Sequence, residues 1–101
     1  MSTYVHAVYF KCKNDADVEV LARDAREMLG RIPTVRQVRC GRRDPGAGRD
    51  VNDTSFHVGL VVLLADKAGC DAYLEHPIHL DFVRKHQANW ANVRVFDFIA
   101  P

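Results

Sequence analysis

Five histidines, His6, His57, His76, His79 and His86, are the side chains of this 101-residue chain best suited to chemistry near neutral pH. An imidazole with a reference pKa of about 6.5 can take up a proton and return it, which makes histidine a common general acid–base group. His76 and His79 flank Pro77 and Ile78 in a His-Pro-x-His block. The block falls where one helix ends and another begins. A broken helix over a sheet leaves space beneath it, so both imidazoles are candidates to face a ligand there. His6 and His57 each open an apolar run, and both are candidates for the helix-covered side of a sheet. His86, in a polar stretch beside Lys85, reads as a solvated side chain. Any of these rings also has a plain structural reading, a half-buried histidine bonded to a backbone carbonyl.

Other chemistries find less support. His76 and His79, with His6 or His57, could supply nitrogen ligands to a metal. Pro77, however, breaks the register that would bring both rings to one side, and no Asp or Glu has an evident ligand spacing, so no metal is expected. Cys12, Cys40 and Cys70 are odd in number and widely spaced, with no Cys-x-x-Cys. That argues against a disulfide framework or zinc ribbon and suits a reducing cytoplasm. There is no Gly-x-Ser-x-Gly elbow, and Gly46 and Gly48 lie in a turn rather than before a helix, so no phosphate cradle is expected.

The elements that must position the histidines follow from periodicity. Tyr4 to Cys12 is apolar on both alternating faces, as is Ser55 to Leu64, which is the pattern of strands covered on both sides. Asn14-Asp15 offers a helix N-cap, and Val18, Leu21, Ala22, Ala25, Met28 and Leu29 follow at the spacing of one helix face. Gly30 and Pro33 stop that helix. Val35 to Arg42 reads as a more exposed edge strand, followed by a turn-forming loop from Asp44 to Asp53. Asp66 caps a short helix to about Leu74, Pro77 opens another to about Gln87, and Val93 to Ile99 is a last strand.

The order β-α-β-β-α-β predicts an α+β, ferredoxin-like protomer with a four-stranded antiparallel sheet whose first and third strands lie in the middle. One domain accounts for residues 1–101. Two helices cover only one face of such a sheet, so the other, apolar on its central strands, predicts a homodimer with sheets face to face.

Composition bounds the partners. The chain is 48% hydrophobic and 27% charged with a formal net charge of +1, which gives no electrostatic case for nucleic acid. Arg31, Arg36, Arg39, Arg42, Arg43 and Arg49 form a local basic cluster without interleaved aromatics. It reads as protection of a sheet edge. The longest apolar run, Val58 to Ala65, is too short to span a bilayer. The start has no cationic region before an apolar core, so no signal peptide is expected.

Four segments carry a resemblance to a known family: His6-Ala-Val-Tyr-Phe-Lys, Ile32-Pro33-Thr-Val35, the block from Tyr73 through His76-Pro77-Ile-His79 to Phe82, and Val95-Phe96-Asp97-Phe98. They resemble the stress-responsive dimeric α/β barrel (Dabb) proteins end to end and in order. The resemblance implies a homodimeric α/β barrel. It also implies a small organic molecule bound in a His/Tyr-lined cavity between sheet and helices, with no cofactor. In the plant olivetolic acid cyclase type, a histidine and a tyrosine fold a polyketide by aldol condensation; they match His79 and Tyr73. The strand histidines of that cavity match His6 and His57, and His76 is a further ligand-binding candidate. A cyclase tyrosine on the first helix is replaced by Ala25, so the cyclase substrate does not carry over. A cofactor-independent cyclase or lyase, and a cofactor-independent oxygenase of the antibiotic-biosynthesis type, are the enzymatic alternatives to a binding protein without catalysis.

Overall fold

The computed structural model describes residues 2–101 and has an antiparallel four-stranded sheet with helices on one face. The strands are β1 (Thr3–Cys12), β2 (Val35–Arg42), β3 (Val58–Leu64) and β4 (Trp90–Ala100), in spatial order β2-β3-β1-β4. The two strands apolar on both faces are therefore the central ones. Helix α1 (Val18–Asp24) runs on through a π-helical turn, Ala25–Leu29; α2 is Lys67–Glu75 and α3 is Pro77–His86.

Alternation sorts the sheet into two faces. Val8, Phe10 and Cys12 of β1 and Val58, Leu60, Val62 and Leu64 of β3 are buried against Val18, Leu21, Ala22, Ala25 and Leu29 of the first helix and Tyr73 and Phe82 of the others. The opposite face carries Ala7 and Tyr9, Val61 and Leu63, and Phe96 and Phe98. No helix covers it: Phe96 is 47% and Phe98 54% exposed.

Local chemistry sets the boundaries. The Asp66 carboxylate accepts the Gly69 N–H and caps α2, and Pro77 stands at the first turn of α3. At the first helix the expected side-chain cap does not form. A 3₁₀ turn, Asp15–Asp17, leads into α1, and neither Asn14 nor Asp17 accepts a capping bond. Strand β3 begins at Val58 rather than Ser55, because Ser55 turns back to bond Asp53 through its N–H and hydroxyl. Strand β4 runs longer than expected, from Trp90 to Ala100, along the whole of β1.

The basic cluster lies on edge strand β2 and its flanks, and several of its members are engaged. Arg42 pairs with Glu19 and Asp15, tying β2 to the first helical segment. Arg31 donates to the Glu27 carbonyl.

Candidate functional site

Three of the five site residues expected from the sequence meet at one end of the helix-covered face. His6 points to that face from β1, as the even-numbered row of the strand requires. Tyr73 comes from α2 and His79 from α3, on either side of the helix break. The Tyr73 and His79 ring centroids are 4.8 Å apart, and His6 stands edge-on to Tyr73 at 5.6 Å. Tyr73 is 1% exposed, His6 is buried, and His79 is half-buried.

A fourth residue belongs with them. Asp97 lies opposite His6 in the β1–β4 register, and its Oδ1 is 2.6 Å from His6 Nδ1. This bond orients the His6 ring and favours the tautomer with the proton on Nδ1. Asp97 was missed in the sequence reading, although a signal was there. It shares a face of β4 with Val93, Val95 and Ile99, so it is a lone acid in an apolar row facing the helix layer.

Burial sets the electrostatics. It lowers the His79 pKa below its ordinary 6.5, and the nearby His6 ring adds to the effect, while the Leu74 carbonyl pulls the other way. His79 is thus a neutral imidazole at pH 7. Its Nδ1 is buried without a hydrogen bond of good geometry, the Leu74 carbonyl being the backbone acceptor beside the ring. Burial pushes the Tyr73 hydroxyl well above its ordinary value, so it is a donor and not a phenolate. Burial also raises the thiols of Cys40 and Cys70 to about 11 and lifts that of Cys12, which keeps all three in the unreactive thiol form.

His57 and His76 stand apart from this cluster. Strands β1 and β3 are antiparallel, and His6 pairs with Val62. His57 is therefore five residues of strand away, on the order of 16 Å. There its Nδ1 accepts the Cys12 N–H at 2.9 Å, beside the Lys11/Cys12 irregularity in the β1–β4 pairing. His76 is the N-cap of α3, its Nδ1 accepting the Ile78 N–H at 3.1 Å. Both rings thus have structural employment: His57 lies far from the triplet, and His76 adjoins it only through its N–H, which donates to the Tyr73 carbonyl at 3.2 Å.

His86 is not solvated. It is 3% exposed, and its Nε2 lies 2.8 Å from the carboxylate of Asp24, which is itself buried. Lys85 Nζ reaches the same carboxylate at 2.6 Å. Burial would raise the Asp24 pKa, but the bonds from Lys85 and His86 outweigh it and hold the carboxyl below its ordinary value. This second cluster clamps the first helix to the end of α3.

At the triplet Tyr73 and His6 are buried, and half-buried His79 and the partly exposed Asp97 form its accessible side. A cleft of about 490 Å³ lies elsewhere, at the β2–β3 loop end of the uncovered face, and no histidine lines it. Among the described residues no group of three or more His, Cys, Asp or Glu side chains is placed to hold a metal ion. No helix among them is long and apolar enough to cross a membrane.

The sequence model of the stress responsive A/B barrel domain matches residues 5–100. No curated protein sequence matches. Solved structures do. A Dabb family protein with a ferredoxin-like fold from Mesorhizobium loti is 22% identical, with 97% of this chain and 96% of that one covered and a TM-score of 0.79. A dimeric ferredoxin-like protein of unknown function from Thermobifida fusca is 19% identical over 99% and 92% of the two chains, with a TM-score of 0.79. The hydroxynitrile lyase of Passiflora edulis is 15% identical over 98% and 94%, with a TM-score of 0.78.

Proposed function

The chain belongs to the stress responsive A/B barrel domain family, and from that premise we propose that it is a homodimeric binding protein for a small organic molecule, held at His79 and Tyr73 beside the His6–Asp97 pair. One observation carries the reading. His79 presents a buried ring nitrogen with no partner. A buried polar atom left unbonded costs about 1–3 kcal/mol. A ligand that supplied the missing bond would recover that cost.

The same arrangement suits acid–base chemistry on a carbonyl compound. A neutral His79 can take a proton from the carbon α to the carbonyl. The Tyr73 hydroxyl can donate a hydrogen bond to the enolate oxygen, and return of the proton from His79 closes the cycle. Entry would be along the helix-facing side of β4, where Val95 and Ile99 are exposed on either side of Asp97. Three free thiols fit a reducing, cytoplasmic setting.

The homodimer reading rests on the uncovered face. Burying the half-exposed Phe96 and Phe98 against a second copy gains about 1 kcal/mol per ring. The Thermobifida fusca neighbour is described as dimeric. Light scattering at micromolar concentration should give twice 11.4 kDa; a stable particle of the single-chain mass rejects the dimer.

Native mass spectrometry of protein purified from its source cells tests the ligand. The wild-type chain should carry an added mass that His79→Ala loses, with thermal stability preserved. An added mass unchanged in His79→Ala removes His79 from the site, and a wild-type chain with no added mass removes the reading.

A further inference from the structure

Trp90 is the chain's only tryptophan, and its indole Nε1, like the Nδ1 of His79, is buried without a hydrogen bond. A buried indole N–H ordinarily has an acceptor. The two unmet groups lie at opposite ends of one strip on the helix-covered side of the sheet. At one end His6 of β1 stands beside Tyr73, which meets His79. At the other Phe10, in the same row of β1, lies 5.0 Å from Trp90 between ring centroids. Four residues of extended strand separate His6 from Phe10, about 13 Å. Phe82, one helical turn after His79 in α3, stands 6.3 Å from the Trp90 ring.

Between its ends the strip is apolar. Val8 lies in the β1 row, and Val95 and Val93 of β4 stand opposite Val8 and Phe10. Val8 is buried, but Val93 and Val95 are 37% and 50% exposed, so the helices leave the β4 half of the strip open. These side chains point away from the sheet face assigned to a second copy. Asp97 is the one charge in the two rows, at the triplet end and already bonded to His6. The strip thus offers apolar contact along its length and an unmet polar group at each end.

We propose that Trp90 sets the length and polarity of the ligand: an elongated, uncharged apolar chain with one carbonyl at Tyr73 and His79 and a second hydrogen-bond acceptor at the indole N–H. The proposal rests on the reading of His79 as a binding group and adds the class of molecule. An indole N–H donates and never accepts, so the far end of the ligand is an acceptor. Neither row holds a Lys or Arg to meet an anion, so both acceptors are neutral oxygens. The Trp90 side chain is only partly buried as a whole, so a turn of the ring brings its N–H to the open half of the strip. An extended chain advances about 3.5 Å for every three bonds, so the strip fits about ten bonds between the two oxygens.

The test uses two isomers, undecane-2,10-dione and undecane-2,7-dione, which have the same atoms and differ in where the second carbonyl falls. In the intact protein the single indole N–H resonance reads the Trp90 end of the strip by NMR, and the His79 ring resonances read the other. Both isomers should move the His79 resonances. The 2,10-isomer alone should move the indole resonance, and it should bind about fivefold more tightly, the worth of one neutral hydrogen bond. Trp90→Phe should bring the two isomers to equal affinity, with backbone amides away from β4 reporting that the variant is folded. Movement of the His79 resonances with a still indole resonance, or equal affinities in the wild-type chain, overturns the proposal and leaves the His79 reading standing. No movement of either signal up to the solubility of the diones overturns both.

Discussion

At the end of α3 His86 is 3% exposed and bonded to a carboxylate, while near its start His79 is half-buried and its Nδ1 bonds to nothing. The two rings share a helix and a residue type, and the more deeply buried one is the structural one. His86 answers the carboxylate of Asp24 and joins the first helix to α3. His79 meets the Tyr73 ring, which in turn meets His6, and neither ring bonds its Nδ1. Burial alone therefore does not mark a site. What separates the two histidines is whether the fold completes their hydrogen bonding, since a buried polar atom that the fold leaves unmet is open to a partner from outside.

The sharpest way to break this comparison is to remove the partner that makes His86 structural. In Asp24→Asn the carboxylate disappears while its shape is kept, leaving Lys85 and His86 around an amide. Breaking a buried charged cluster on one side costs about 3 kcal/mol, a fall of roughly 12 °C or more in Tm for a chain of this size. The measurement is a thermal or urea melt at fixed protomer concentration. Any ligand held at His79 should be retained by the folded fraction. A loss of less than about 1 kcal/mol would mean that the cluster is no clamp, and the contrast with His79 would fail.

Much of the fold was legible because its signals are local or periodic. Two strands apolar on both faces declared themselves central, the arginine-rich strand declared itself an edge, and Asp66 and Pro77 marked the starts of α2 and α3. His79, Tyr73 and His6 could be picked out because residue type, family resemblance and strand alternation agreed on them. The rest depended on register and on distant pairs. Nothing local says whether His57 stands beside His6, since that is decided by the antiparallel offset of β1 and β3, which puts them at opposite ends. Asp24 lies within the helical stretch between Ala22 and Ala25, and its partner His86 is 62 positions away. A charge beside Lys85 reads as solvated until that partner is known. The meeting of the triplet was equally hidden, because it depends on how three rings from three elements pack.

The second, smaller effect separates the clusters by pH. The His79 pKa is below 6.5 in the folded chain and at its ordinary value in the unfolded one. Above pH 6.5 both states leave it neutral, and its contribution to stability is fully present. As the pH falls below 6.5 the unfolded chain takes up a proton that folded His79 declines, so stability drops, by at most about 1.4 kcal/mol per pH unit. Asp24 has the same sign in a lower window. Its folded pKa lies below 3.8, so its contribution holds above 3.8 and is lost only as the pH falls through the folded value. Comparing wild type with His79→Gln isolates the first window. The wild-type chain should lose stability relative to the variant between about pH 6.5 and 5, with the difference flat from pH 7 to 8. Urea melts across that range measure it. A difference independent of pH would show that the folded environment does not disfavour the imidazolium, and His79 would then be as well provided for as His86.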